Sequence, residues 1–361
     1  MKKILFVTHE ESRTGAPKVV YEVAREMNKY YNVKMVSLNG GSMHKEFESE
    51  FGKIIYESSL FDCRQIIINE KPDLVYVNSL SSYRYAIEAR KFGIPAVFHI
   101  HELRGGFDAV FNQRELEMFK EYADRYIVVS KPVEKILLKD LLCDPSKVFM
   151  LNAFVNSEDI INKSLQGFNE IKEKIIQNDK IIVIGIGYFN TRKGDDYFIN
   201  AFKILNKKYP NRFRFIWIGK YGVSSWLRSW YSVGKNLGND FLLLGERENP
   251  YPYLRSADIF LLSSREDPFP LVALEAMALK KPVVAFKEGG GIPEAISGCG
   301  VIVENMNSWF LADSIQDLSK DFELMKNLGE KASLRLKLNY DSKIILPKIK
   351  KLIDDLLLVQ I

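Results

Sequence analysis

The sequence predicts an α/β protein built from two parallel-sheet units, and three observations carry that prediction. Short runs of β-branched and aliphatic residues alternate with longer segments of helical apolar spacing, the pattern of parallel strands joined by crossover helices. The runs are nearly continuous in apolar character, as strands covered on both faces must be. The 361 residues contain more such runs than one sheet usually holds, and a polar interlude divides them.

In the first half the strand runs are Ile4 to Val7, Val33 to Ser37, Leu74 to Asn78, Ala96 to Ile100 and Tyr126 to Ser130. After the first of them, Val19, Val20, Val23, Ala24 and Met27 recur at three- and four-residue intervals and place one apolar stripe on a helix. Gly15 and Pro17 suit the entrance of that helix. The second half repeats the scheme with Ile181 to Ile186, Phe213 to Ile218, Phe241 to Leu244, Ile259 to Ser263, Pro282 to Phe286 and Val301 to Glu304. The join is expected within residues 155 to 178, where Asn156, Ser157, Asn162, Lys163, Ser164, Gln166 and Gly167 cluster. The expected domains are therefore 1–160 and 165–340. Ile344, Ile345, Ile349, Leu352, Ile353 and Leu356 mark a final amphipathic helix within 342–361. Short-period repeats are absent, which argues against solenoids and propellers.

Composition excludes several function classes. Apolar residues make up 47% and charged residues 27%, which is ordinary globular chemistry rather than disorder or a fibre. The formal charge of +5 is too slight for a dedicated nucleic-acid binder, and its excess lies in the second half. Cys63, Cys143 and Cys299 share no paired spacing, so neither a disulfide framework nor a cysteine-based zinc site is suggested. The apolar run Ile4 to Val7 is shorter than the roughly 7 to 15 residues of a signal peptide core, and no stretch approaches the roughly 18 residues of a spanning helix. A cytoplasmic protein is expected, with attachment at the inner face of the membrane left open.

The densest chemical signal is the stretch from Ser263 to Ala278. A strand ends, two prolines follow, and a helix begins near Pro270, since proline tolerates the first helical turn. The amides of Leu271 and Val272 then lack partners inside the helix, and such a terminus binds phosphate. Leu271 and Glu275 are four apart and share a face, so the carboxylate stands about one turn from that anion site, where a ribose would lie. Asp267 lies upstream, within reach of a sugar carried on the phosphate. As an isolated pair, Asp267 would more simply cap the helix and Glu275 would pair with a lysine. The neighbouring residues reverse that preference.

Those residues, Asp267 and Glu275 with seven between, Pro268-Phe269-Pro270-Leu271 and Leu274-Glu275-Ala276-Met277, resemble the motif of the retaining glycosyltransferases of family 4, two-domain members of the GT-B class. Asp267 stands where many members have Glu, and Glu266 is one residue out of register. Gly15-Ala16-Pro17 matches the family's glycine turn, which faces the donor across the cleft. His101-Glu102 occupies the place of its His-Asp pair, and Ala123 to Ser130 is similar to its Ala-Asp strand ending in Ser. Gly187 to Gly194 resembles the segment whose lysine, here Lys193, binds the donor pyrophosphate. Gly289-Gly290-Gly291-Ile292-Pro293-Glu294 is similar to the glycine-rich loop beside the donor.

The resemblance implies a GT-B fold of two Rossmann-like domains facing across a cleft, with the last helix crossing back onto the first domain. It implies a retaining transfer from a nucleoside diphosphate sugar, such as a UDP- or GDP-sugar, to an acceptor hydroxyl on a carbohydrate or lipid-linked acceptor. Glu275 would hold the ribose, Asp267 the donor sugar hydroxyls, and His101 the sugar near the reacting carbon. Gly15, Ala16, Arg192, Lys193, Leu271, Val272, Gly290 and Gly291 would complete the donor site, with no cofactor and no metal. Cell-envelope polysaccharide or glycolipid synthesis is the implied setting. One departure matters: Tyr188 stands where the family usually has Arg, so Arg192 would substitute or Lys193 would act alone.

Competing readings have weaker support. Gly185-Ile186-Gly187 opens a dinucleotide fingerprint that fails at Asn190. His99 and His101 share a strand face, which permits joint metal ligation, but no cysteine or Asp-x-Asp completes a set. Phe107, Val110, Phe111, Leu116 and Phe119, and separately Trp226, Leu227, Trp230 and Tyr231, read first as packing. For the first set, an acceptor groove or membrane face is the alternative, because Arg104, Arg114 and Lys120 flank it. A nucleotide-sugar 2-epimerase and a nucleotide-sugar binder without turnover are the two remaining alternatives in function.

Overall fold

A computed structural model describes residues 1–57, 62–175, 180–221 and 238–358. The chain divides into two units, Met1–Phe154 with Lys343–Ile361, and Val155–Ser342. The first unit holds β1 (Lys3–Thr8), β2 (Asn32–Ser37), β3 (Ile55–Tyr56), β4 (Leu74–Asn78), β5 (Ala96–Ile100), β6 (Arg125–Val128) and β7 (Val148–Met150). Their order across the sheet is β3-β2-β1-β4-β5-β6-β7. The second unit holds β8 (Ile181–Ile186), β9 (Phe213–Ile218), β10 (Phe241–Leu243), β11 (Ile259–Leu262), β12 (Val283–Phe286) and β13 (Val301–Val303), ordered β10-β9-β8-β11-β12-β13.

Every neighbouring pair in both sheets is parallel. Each unit is thus doubly wound about its first strand, with a switch point between β1 and β4 or between β8 and β11, where ligands bind at the carboxyl ends of strands. The apolar runs follow from this cover: all five residues of β4 and all five of β5 are buried. Two strands carry no such run. β3 is two residues long and half exposed, and β7 is a partly buried edge of three, so neither needs an apolar signature.

The helix Gly15–Met27 buries Val19, Val20, Val23, Ala24 and Met27, the stripe its spacing predicts. The helix Ser342–Leu358 buries Ile345, Ile349, Leu352, Ile353 and Leu356. Its later turns are tied to the first unit, where Lys2 Nζ donates to the Leu357 carbonyl at 2.6 Å and Tyr31 donates to Asp354. Among the described residues, no helix is long and apolar enough to cross a membrane.

The first aromatic stretch is core, the packing that is its first reading, and the alternative of a groove or membrane face gives way. Phe107, Phe111, Leu116 and Phe119 are buried. Phe119 lies 5.5 Å from Phe98 and 5.3 Å from Phe107, while Arg104, Arg114 and Lys120 point to solvent. A helix with charged residues on one side and aromatics on the other is what any surface helix presents, so the flanking cations carried no separate message. The second stretch, Trp226 to Tyr231, lies outside the described residues.

The core of the second unit is centred on Phe198, whose ring is 5.0 Å from Phe215, 4.9 Å from Trp217 and 6.0 Å from Phe241. Truncating a fully buried phenylalanine removes its transfer free energy and leaves a cavity. Phe198→Ala is expected to destabilise the second unit by about 3 to 5 kcal/mol, measured by chemical denaturation followed through tryptophan fluorescence.

Candidate functional site

In the second unit the loops leaving β8 and β11 meet at the switch point. After β8, Asn190 closes a 3₁₀ turn over Thr191–Lys193 by accepting the Lys193 amide at 3.0 Å. This is the position where a dinucleotide fingerprint would need glycine, and the asparagine cap makes a different turn. The next residue, Gly194, has φ +67°, and a Cβ there would lie 1.8 Å from the Ser263 carbonyl oxygen. Only glycine permits this approach. Ser263 Oγ donates to the Lys193 carbonyl at 3.0 Å, the Arg265 amide to the Arg192 carbonyl at 2.9 Å, and Arg192 Nη1 to the Glu266 carbonyl at 2.9 Å.

The result is an ion pair between Lys193 Nζ and Asp267 Oδ2, residues 74 apart in sequence. Both side chains are mostly buried, at 15% and 8% exposure. Asp267 does not cap the following helix. Its backbone is held instead by the glycine loop after β12, since its amide donates to Gly289 and its carbonyl accepts from Gly291. Gly290 has φ +115°, and a Cβ there would meet the Asp267 carbonyl oxygen at 1.8 Å. Gly290 and Gly291 therefore lie directly against the aspartate.

The helix Leu271–Ala278 begins one residue past Pro270, which occupies the cap position without a side-chain bond. A capping proline leaves the first amides, those of Leu271 and Val272, outside the helical ladder. One turn on, Glu275 is 2% exposed, and its Oε1 accepts from the Tyr251 hydroxyl at 3.2 Å. Cation, carboxylate and helix terminus thus come together in one unit. Arg192 is exposed, with one guanidinium nitrogen on the Glu266 carbonyl, and Tyr188 is 45% exposed.

In the first unit the polar residues collect at the carboxyl ends of β1, β4 and β5. His101 Nε2 is 2.8 Å from Asn78 Oδ1, and Asn78 Nδ2 donates to the Ala16 carbonyl at 3.2 Å. A chain of bonds so links His101 to Ala16, at the start of the helix Gly15–Met27. Glu102 is turned inward: it accepts from Ser79 Oγ, from the Leu80 amide and from the His101 amide, while burial raises its carboxyl above the usual range. His99, 1% exposed, shares a bond of 2.8 Å between Nδ1 and the Tyr76 hydroxyl. Burial lowers His99 to about 3, and lowers His101 well below the usual imidazole range, with His99 and His9 adding to the effect. Among the described residues, no group of three histidine, cysteine or carboxylate side chains is arranged to hold a metal.

Two family models match the chain, "Glycosyltransferase Family 4" over residues 13–159 and "Glycosyl transferases group 1" over residues 179–321. The chain belongs to the group 1, family 4 glycosyltransferases. An uncharacterized glycosyltransferase of Methanocaldococcus jannaschii is 31% identical over 171 residues, which cover 46% of this chain and 40% of the relative. A Campylobacter jejuni N-acetylgalactosaminyltransferase, named for a diphospho-undecaprenol-linked acceptor, is 25% identical over 70% of this chain and 68% of its own. The crystal structure of Anabaena HepE in complex with UDP and glucose superposes with a TM-score of 0.84 at 17% identity, over 98% of this chain and 100% of that one. At that identity the likeness shows the fold, which is GT-B.

The family motif led to Lys193, Asp267, Glu275 and His101, but not to Ser263, which bonds the Lys193 carbonyl, to Tyr251, which bonds Glu275, to Asn78, which bonds His101, or to Arg265. Arg265 binds Asp196 through two contacts of 2.6 Å and stacks 4.1 Å over Tyr197. No sequence spacing pairs these residues, since their partners lie in other elements. The histidine chemistry has a consequence for stability. An unfolded His99 takes up its proton near pH 6.5, whereas the buried ring resists it until about pH 3. The unfolded state then binds more protons across that window, so stability present above about pH 6.5 is lost as pH falls toward 3. Thermal melts from pH 7 to pH 4 are expected to fall more steeply for the native chain than for His99→Gln.

Proposed function

We propose that this glycosyltransferase moves a sugar from a nucleoside diphosphate sugar to an acceptor hydroxyl, with retention at the anomeric carbon. The observation that carries the proposal is the meeting of Lys193 and Asp267 beside the start of the helix Leu271–Ala278, at the carboxyl ends of β8 and β11. In the reaction the bond from C1 to the diphosphate oxygen breaks, C1 joins the acceptor oxygen, and the acceptor proton passes to the departing diphosphate. Negative charge grows on that leaving group, and preorganised positive potential lowers the barrier.

The ammonium of Lys193 and the amides of Leu271 and Val272 supply such potential without a metal. Asp267 satisfies Lys193 in the structure. An incoming diphosphate replaces that carboxylate as the partner of Lys193, and Asp267 turns to the hydroxyls of the sugar. Glu275 takes the ribose hydroxyls one turn along the helix. The fold likeness to a structure holding UDP and glucose supports a UDP-sugar, and the Campylobacter relative's acceptor supports a lipid-linked or polysaccharide acceptor in envelope synthesis. A cytoplasmic location with the acceptor presented at the membrane surface fits such an acceptor.

Lys193→Ala and Glu275→Ala are expected to reduce transfer by about 100-fold or more, the usual effect of removing one group that stabilises the leaving charge or fixes the donor. His101→Ala is expected to lower turnover while nucleotide affinity stays near normal. Product formation from a panel of radiolabelled nucleotide sugars, with circular dichroism to verify the fold, measures both. Near-normal turnover in Lys193→Ala or Glu275→Ala overturns the assigned site, and inversion at C1 in the product overturns retention.

A further inference from the structure

Glu275 is an unusual place for a charge: it lies 2% exposed on a helix whose other buried residues are Leu271, Ala273, Leu274, Ala276, Met277 and Ala278. A buried carboxylate is costly unless hydrogen bonds hold it, and the side chain that binds a ligand must also be fixed in one rotamer before the ligand arrives. The Tyr251 hydroxyl donates to Oε1 of this carboxylate at 3.2 Å. Tyr251 comes from a different element, the first position of the helix Tyr251–Ser256 that precedes β11.

That tyrosine is itself anchored. Its amide donates to Asn249 Oδ1 at 3.2 Å, and Asn249 Nδ2 donates to the Lys163 carbonyl at 2.8 Å, at the end of the helix Ser157–Lys163. Pro252 follows it, fixing the backbone at the entrance of its helix. The hydroxyl is therefore presented from a braced backbone, and the ring is only partly buried, so its position is not explained by core packing alone.

We propose that Tyr251 is a positioning residue for the donor nucleotide: its hydroxyl holds the Glu275 carboxylate in the rotamer that accepts the ribose hydroxyls, and so sets preference for a ribonucleotide donor over a deoxyribonucleotide one. The inference rests on the assignment of Glu275 to the ribose. A carboxylate offers about four acceptor directions, and the phenol takes one of them and orients the group toward hydroxyl donors. Ribose 2′- and 3′-hydroxyls are such donors, whereas a nucleotide lacking one of them cannot use the oriented oxygen in the same way.

Equilibrium titration of the full chain with UDP, GDP and ADP, and with the 2′-deoxy and 3′-deoxy forms of whichever binds tightest, tests this. The native chain is expected to favour the ribonucleotide, and Glu275→Gln to lose that preference. Tyr251→Phe is expected to weaken ribonucleotide binding by about three- to ten-fold, as loss of one ordinary hydrogen bond does, while the deoxy form that the native chain discriminates is hardly affected. In turnover, the donor KM should rise and kcat stay within about two-fold, the signature of lost ground-state binding. In the double variant, Tyr251→Phe should add no further loss to Glu275→Gln, because the two act through one contact.

Ribonucleotide affinity unchanged in Tyr251→Phe, an equal loss for ribo and deoxy forms, or additive losses in the double variant overturns the role of Tyr251 and leaves the ribose assignment standing. No preference for the ribonucleotide in the native chain, or no effect of Glu275→Gln, overturns the ribose assignment and the inference together. A melting temperature for Tyr251→Phe equal to that of the native chain separates these outcomes from misfolding.

Discussion

The second unit is organised around the close approach of two loop backbones. The turn after β8 and the segment after β11 pass so near each other that position 194 admits no side chain, and the glycine loop after β12 passes as close to Asp267 at position 290. Bonds through Ser263, Arg265 and Arg192 then lock the first two of these loops in register, and those of Asp267 with Gly289 and Gly291 hold the third. The Lys193–Asp267 ion pair is the product of that constraint. An ion pair of this burial adds little net stability, because the desolvation of both charges offsets their attraction. Its value is positional: two charges of opposite sign are kept at the carboxyl end of a parallel sheet, beside a helix terminus of positive potential.

The first unit handles polarity differently. Its carboxyl edge carries imidazoles, an amide and an inward carboxylate, and burial holds His99 and His101 in their neutral forms near pH 7. A neutral imidazole has one donor and one acceptor nitrogen, so it can orient a hydroxyl without adding charge. The bond from His101 to Asn78, and from Asn78 to the Ala16 carbonyl, makes the start of the helix Gly15–Met27 and the end of β5 a single polar assembly. Glu102, adjacent in sequence, accepts from Ser79 Oγ and from the Leu80 and His101 amides.

Much of the architecture was legible because burial writes directly on sequence. Strands covered on both faces must be apolar throughout, so β4, β5, β8 and β9 appear in the composition of their own residues, as does the stripe of the helix Gly15–Met27. β3 and β7 were not legible, because an edge of two or three residues is not buried enough to need a signature. The aromatics around Phe107 were legible as apolar but ambiguous in destination, since a core face and a docking face draw on the same residues. Of the candidate site, Lys193, Asp267, Glu275 and the glycines were found through a resemblance in motif, not through any spacing rule.

The sequence by itself determined the class of fold, the parallel character of both sheets and the residue types available for anion and hydroxyl binding, since each of these follows from local pattern. Tertiary structure alone decided that Lys193 faces Asp267 across 74 residues, that Asp267 pairs with a lysine rather than capping its helix, and that Glu275 is met by Tyr251. These are contacts between elements, and chain separation gives no guide to them. The parallel order of the strands, with the absence of a Cβ at two glycines, brings them together.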